Sequence, residues 1–498
     1  MDKGIGTSVA KNTTVMLGAQ LLTWVSSFVL LMFLPRYLGS ADYGRLYLAM
    51  SIAMILGIII DFGGNYLIPK EVAKEKKSTP NIMVSYIGVR SILWVFCMAI
   101  LLLFSWFVEY SATVLILIGI LGFSKLWEGV IKAIKSCFQG HEMMEYPSIG
   151  QIAQKVFVAA IAVSALIFGA GPITIAIIMV MGAVLNLVIC LKFVPIIVDN
   201  LPKFNFDISL NLVRNSIPYF LWSIFAVIYY RVDAVMLSTL STEQVVGWYG
   251  GAYRFFDIVM FLPSIFTTVI FPVFSRLSAE GDEQLTDTFQ RSLRYMVLTA
   301  VPMTILFLFF SEDIIHLFYG LDEYEPSIII LQIFAPGIVL VYIDFILGSY
   351  ILATDKQRVW AIIGFTAILL NVGLNYGMIP YADQLWGNAG IGAAISTLLT
   401  ELFILIGAFV LLPGKYFSGL KISLPFKAIA GGIAMATMIY LLKSMMVFWP
   451  ILAALGLFVY ASFAVGSGMI TKAELQFGKE FFSRQNLRSF LKAKGEQI

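Results

Sequence analysis

Asp61, Arg90, Lys125, Glu128, Arg231, Asp233, Arg254, Asp257, Asp344 and Glu401 all lie inside long apolar stretches of this sequence. A charge in hydrocarbon is costly, so each of these residues is expected to face a partner or a water-filled pathway. The guanidinium group is a planar fork matched to phosphate oxygens, and the lysine ammonium a compact charge. Arg90, Lys125, Arg231 and Arg254 are therefore candidates for binding an anionic substrate. Asp344 and Glu401 have no basic residue in their own hairpins and, with Asp61, are candidates for ion coupling. Burial penalises a charged carboxylate, so Glu401 is expected to exchange a proton or bind a cation.

Structural pairing competes with each of these roles. Asp61 and Arg90 stand at similar depth in consecutive stretches, and Lys125 with Glu128, like Arg254 with Asp257, sit three residues apart on one helical face. Acids outnumber bases in the set, so the sequence does not by itself define a cationic cavity. Trp94, Trp222, Tyr229, Tyr230, Trp248, Tyr249 and Tyr253 supply rings able to stack on sugars, although such residues more often form the interfacial belt.

Other chemistries find no support. Gly-Lys occurs only at Gly414-Lys415 and Gly478-Lys479, with no hydroxyl residue following, so no phosphate-binding loop is present and ATP is not the direct fuel. The energy must come from an ion gradient, the membrane potential or mass action. Cys97, Cys137 and Cys190 lie in or beside apolar runs, and His141 and His316 are far apart, which argues against a disulfide framework or a metal centre. Glu312, Asp313 and His316 lack a nucleophile–base spacing. We expect no catalytic residues, no metal, no cofactor and no nucleic-acid partner: the chain reads as a non-enzyme.

The elements that must position these residues follow from composition. Of 498 residues, 59% are hydrophobic and 13% charged, with mean hydropathy +0.89, against about 45–50% apolar and about 25% charged in soluble domains. A soluble enzyme is excluded. Apolar runs broken by short Gly, Pro or charged segments predict about fourteen spans of roughly 20 residues, from 15–34 to 449–470. The first run is too long for a signal core and lacks a cleavage site, so it reads as a span. With the N-terminus in the cytoplasm, roughly four-fifths of the 33 Lys and Arg residues, Lys132, Lys135 and Lys155 included, fall on the inner side. Both termini are expected to be cytoplasmic. Residues 471–494 mix Phe and Leu with Lys and Arg and read as an amphipathic helix on the anionic inner leaflet.

Gly44 and Pro69 recur as Gly247 and Pro272 at one and the same offset, and Gly150 has a counterpart in Gly364 at a slightly larger one. Six spans separate the copies, so both halves cross in the same direction and a pseudo-twofold axis runs along the membrane normal. The predicted fold is an all-α integral membrane protein with about 14 transmembrane helices. Residues 1–200 and 201–414 form two six-helix lobes, 415–471 two additional helices and 472–498 a cytoplasmic tail.

The segment Leu38-Gly39-Ser40-Ala41-Asp42-Tyr43-Gly44 followed by Asp61-Phe62-Gly63-Gly64 resembles the opening hairpin of the polysaccharide-biosynthesis exporters, the Wzx-type flippases. Arg231-Val232-Asp233, Val246-Gly247-Trp248-Tyr249, Ala252-Tyr253 and Phe271-Pro272 are similar to that family's seventh and eighth spans. The resemblance implies the multidrug/oligosaccharidyl-lipid/polysaccharide exporter fold and a multi-pass protein of the cytoplasmic (inner) membrane. Its implied activity is movement of a polyprenyl-pyrophosphate-linked oligosaccharide from the inner to the outer leaflet by alternating access, for cell-surface polysaccharide assembly. Implied partners are that lipid-linked oligosaccharide, membrane lipids, a polysaccharide polymerase and other assembly proteins. A drug/cation antiporter of the same superfamily is the alternative. Multidrug relatives commonly carry an acid in the first helix, and lipid II flippases basic residues there, whereas 15–34 here hold Gln20, Thr23, Ser26 and Ser27 but no charge. A membrane-embedded glycan polymerase or ligase, from a different class, would need large outer loops, and those here are short.

Overall fold

The computed structural model describes residues 3–198, 203–280, 282–320, 323–411, 423–445, 447–470 and 474. Among them there is no strand. Backbone amides in hydrocarbon can be satisfied only inside a helix or a closed barrel, and the long apolar runs take the first option. The helices are α1 (Lys3–Asp61), α2 (Gly64–Lys74), α3 (Thr79–Phe107), α4 (Ala112–Gly140), α5 (Glu145–Ile167), α6 (Pro172–Phe193), α7 (Phe206–Leu240) and α8 (Glu243–Val259). There follow α9 (Phe261–Glu280), α10 (Asp282–Tyr319), α11 (Pro326–Ala353), α12 (Gln357–Trp386), α13 (Ala389–Leu411), α14 (Ser423–Lys443) and α15 (Trp449–Gly466). Among the described residues thirteen segments are long and apolar enough to cross a membrane, and the first of these, Leu22–Lys74, contains two of the predicted spans. The predicted amphipathic helix at 471–494 lies outside the described residues, Glu474 excepted.

Helix ends follow local chemistry. The Asn205 side chain accepts hydrogen bonds from the Asp207 and Ile208 amides and so starts α7. Proline in the first turn opens α3, α6 and α15, where its missing N–H costs nothing. Within α1 the chain breaks at Gly39, whose φ of 74° suits only a residue without a side chain. The helix then resumes and runs unbroken to Asp61.

The chain divides into two compact units. The first comprises Met1–Arg254, Ile315–Ile330 and Ala361–Thr400, and the second Phe255–Ile314, Leu331–Trp360 and Glu401–Ile498. In the first, α1 packs on α4, α5 and α7, and α6 lies against both α4 and α5. A tight cluster of Ile68, Val72, Tyr86, Cys137, Phe138 and Cys190 closes one end of α2, α3, α4 and α6. In the second unit α14 and α15 pack together and against α10 through Phe310, Met435, Ile439, Leu452 and Tyr460.

Two contacts in the first unit join α1 to the helices that follow residue 205. At the Gly44 end, a Cβ on Gly44 would overlap the carbonyl oxygen of Glu243, and a Cβ on Gly247 would overlap that of Ser40. The four residues are related pairwise by the repeat, so the contact is reciprocal, as a twofold operator requires. Arg45 Nε donates to Glu243 Oε2 at 2.5 Å, and Ser111 Oγ donates to the same carboxylate at 2.6 Å. At the other end, Gly63 has φ 77°, and a Cβ there would come within 2.7 Å of Phe220 N and Ser216 O on α7. Phe62 stacks on Phe220 with ring centroids 4.3 Å apart, and Lys70 Nζ donates to Tyr219 Oη at 2.8 Å.

Candidate functional site

Helical spacing places Lys125, Glu128 and Lys132 along one side of α4. Lys125 Nζ contacts Glu128 Oε2 at 2.7 Å, with side-chain exposures of 17% and 31%. From α5, Lys155 comes within electrostatic range of Glu128, Lys125 and Arg254, and Lys132 within range of Asp61, Glu128, Arg90 and Lys125. Lys155 is nevertheless exposed. Lys125, Lys132 and Lys155 thus lie within electrostatic range of Glu128, and Arg254 within range of Lys155, a grouping of bases that the sequence conceals. The sequence counts Lys132 and Lys155 on the inner side, and the fold adds that each lies within electrostatic range of Lys125 and Glu128.

Arg90 occupies a different environment. It and Asp61 are each 2% exposed and form an ion pair. Arg90 Nη1 also donates to the Gly129 carbonyl at 2.7 Å, and its guanidinium lies 4.7 Å from the centre of the Tyr86 ring. Tyr86 in turn donates to the Asp61 carbonyl at 2.7 Å. The pairing expected from depth alone is present, and it commits both residues to each other.

Arg231 and Arg254 converge on tyrosines of α1. Arg231 Nη1 donates to Tyr47 Oη at 3.3 Å and its guanidinium sits 5.6 Å from the Tyr253 ring centre. Arg254 Nε donates to Tyr43 Oη at 3.3 Å, and its guanidinium lies 5.3 Å from the Tyr47 ring centre. Tyr47 therefore serves both arginines, through its hydroxyl and its face. Asp257 belongs to the second unit.

Asp233 is 2% exposed and accepts from Asn375 Nδ2 at 2.6 Å, Thr397 Oγ1 at 2.7 Å and Tyr249 Oη at 2.8 Å. Asn375 Nδ2 also reaches Asn371 Oδ1 at 3.0 Å. The carboxylate is held by neutral donors from α8, α12 and α13. Of these partners only Tyr249 stands out in the sequence, because amides and hydroxyls in apolar runs carry little signal. Trp94 and Trp248 donate their indole N–H groups to the carbonyls of Gly122 and Glu323, each at 2.8 Å.

In the second unit, Asp344 of α11 and Glu401 of α13 are 7% and 3% exposed. Their carboxyl groups lie within hydrogen-bonding reach of one another. The sequence singles out each for want of a base, and the fold brings the two together.

The family model described as "Polysaccharide biosynthesis protein" matches residues 9–278, and the MatE model matches 218–377. The "Probable low-salt glycan biosynthesis flippase Agl15" of Haloferax volcanii is 25% identical over 173 residues, 34% of this chain and 35% of that protein. The match thus spans about a third of the length of that curated relative. Among solved structures, "Lipid II flippase MurJ, inward closed conformation" superposes with TM-score 0.73 at 15% identity, covering 92% of this chain and 99% of that one. An inward-facing multidrug resistance MATE family transporter of the MOP superfamily superposes with TM-score 0.66 at 13% identity, covering 80% and 96%. These likenesses establish a two-lobed all-α membrane fold with a pseudo-twofold axis and two further C-terminal helices. With more than half its length matched by one family model, the chain belongs to the polysaccharide biosynthesis protein family within the MOP superfamily of multi-pass membrane proteins.

Proposed function

We propose that this protein is a flippase that carries a polyprenyl-pyrophosphate-linked oligosaccharide from the inner to the outer leaflet of the cytoplasmic membrane by alternating access, with both termini cytoplasmic. The observation that carries this reading is the excess of positive charge around Glu128. Lys132 and Lys155 each repel Lys125, Arg254 repels Lys155, and an incoming diphosphate relieves that repulsion while forming charge-assisted hydrogen bonds. Arg231 stands beside this group through Tyr47 and offers a further fork to phosphate or to an acidic sugar. Arg90 has the weakest claim to substrate, because its contacts with Asp61 and Gly129 leave little of its guanidinium available.

The reading is supported by family membership and by the glycan-flippase name of the partial relative from Haloferax volcanii. A reconstituted protein in liposomes should move a polyprenyl-diphosphate-linked oligosaccharide, fluorescent on its glycan, from a leaflet shielded from an impermeant quencher to the exposed one. Lys155→Ala and Lys125→Ala should each slow this movement at least tenfold. Absence of movement, together with pH-driven export of an organic cation, would assign the chain to the antiporter class instead.

A further inference from the structure

A partly exposed ion pair on one helix is weak, and its carboxylate gives way to a better anion. Lys125 and Glu128 form such a pair: Nζ meets Oε2 at 2.7 Å, and the Glu128 side chain is 31% exposed. The other carboxylate oxygen, Oε1, accepts from Ser124 Oγ at 3.4 Å, a long hydrogen bond. Ser124, Lys125 and Lys132 stand four residues before, three before and four after Glu128, so all of them flank it on one face of α4. Lys155 of α5 acts on the same carboxylate. Among the described residues, neither Lys132 nor Lys155 makes a hydrogen bond or ion pair. One glutamate thus stands among three ammonium groups and is bonded to a single one of them. Asp61 is held quite differently: it and Arg90 are each 2% exposed, and Arg90 is fixed further by the Gly129 carbonyl and the Tyr86 ring.

An anion entering between these lysines must displace a carboxylate that already carries one negative charge. A singly charged phosphodiester, such as an ordinary phospholipid head group, exchanges one charge for another and gains little. A diphosphate brings at least two charges and more acceptor oxygens, so the exchange favours it.

We propose that Glu128 is a built-in counter-ion that the substrate displaces, and that it makes this site select anions of two or more charges over singly charged phosphodiesters of the surrounding leaflet. This rests on the diphosphate reading above and adds a discriminating residue to it. When the diphosphate departs, Glu128 returns to Lys125, so the same carboxylate favours release.

Farnesyl diphosphate, titrated calorimetrically into the full chain in lipid nanodiscs, tests the site without a translocation step. In phosphatidylcholine nanodiscs Glu128→Gln should bind it about tenfold more tightly than wild type, because one charge-assisted hydrogen bond no longer has to be broken. In nanodiscs of phosphatidylcholine and phosphatidylglycerol in equal parts, that advantage over wild type should shrink, since the uncovered lysines then take up the singly charged head group. Unchanged or weaker binding by Glu128→Gln in phosphatidylcholine overturns the proposal, as does an advantage of the same size in both lipid mixtures. A merely disturbed fold weakens binding and does not produce tightening. Should Glu128→Gln fail to fold, Glu128→Asp, whose shorter side chain draws the carboxylate back from Lys125, should show part of the same tightening, and binding no tighter than wild type would refute the displacement.

Lys155→Ala separates this proposal from the reading beneath it. If that variant weakens farnesyl diphosphate binding while Glu128→Gln fails to tighten it, the lysines bind diphosphate and only the role of Glu128 falls. If neither substitution alters binding, the diphosphate reading falls as well.

Discussion

Gly44 and Gly247 meet so closely that each leaves no room for a side chain against the backbone of the other's helix: Gly44 faces the Glu243 carbonyl and Gly247 the Ser40 carbonyl. Because the repeat relates the two halves of this contact, a methyl group on either glycine forces the same two helices apart. Gly44→Ala and Gly247→Ala should each cost about 1–3 kcal/mol as overpacking, read as a lowered thermal unfolding midpoint. The double variant should cost less than the two together, since the first methyl already opens the contact. Strict additivity would mean that the two contacts are independent.

Breaking the Asp61–Arg90 pair from one side should be far more harmful than removing it. Arg90→Ala leaves an uncompensated buried carboxylate, at about 3–5 kcal/mol, whereas Asp61→Asn with Arg90→Gln should recover much of that loss. Protein yield and unfolding temperature check this. If the double variant is no more stable than Arg90→Ala, the pair has a purpose other than mutual neutralisation.

Both carboxylate oxygens of Asp233 act as acceptors, Oδ1 from Asn375 and Oδ2 from Thr397 and Tyr249. Asp233→Asn turns one acceptor into a donor directed at neighbours that themselves donate, with an expected loss of about 1–3 kcal/mol for the buried groups left unmet. Thr397→Val removes one of these donors and should cost less. Equal stability of Asp233→Asn and wild type would show that the cluster rearranges freely.

The membrane orientation can be tested without first removing native thiols. Cys97, Cys137 and Cys190 are all buried, so background reaction with an impermeant maleimide should be low. A cysteine replacing Ser111 should be labelled from outside intact cells, and one replacing Ser78 only after permeabilisation. Labelling of the Ser78 variant in intact cells would invert the proposed topology. Because Ser111 donates to Glu243, Arg45→Ala should also change the rate of labelling at position 111, while costing at most about 1 kcal/mol, as expected of a half-exposed ion pair.

Much of this architecture is written in hydropathy, because a helix in hydrocarbon needs only length and apolarity. Depth counting is enough to pair Asp61 with Arg90, and three-residue spacing to pair Lys125 with Glu128. Neither supplies adjacency between distant helices. Asp344 and Glu401 read as two isolated acids, and Lys155 shows no link to Lys125 and Glu128, because nothing local records which helix faces which. Asn371, Asn375 and Thr397 escape notice since uncharged polar residues are common in such helices. The excess of acids over bases also misleads. It is an average over the chain, whereas the fold brings Lys125, Lys132 and Lys155 within range of one glutamate.

Between Gly44 and Gly63 the chain makes about 30 Å of nearly continuous helix, close to the thickness of a bilayer's hydrocarbon core. It touches later helices tightly at both ends, with the Glu243 and Ser40 carbonyls at one and Ser216 and Phe220 at the other. A stiff rod fixed at two points behaves as a lever. Releasing one end turns it about the other, and the still-closed contact becomes the fulcrum. The mechanical penalty therefore falls on releasing both ends at once, and under the proposed alternating access the stiffness of this single helix would oppose a path open to both faces, without any signal relayed through side chains.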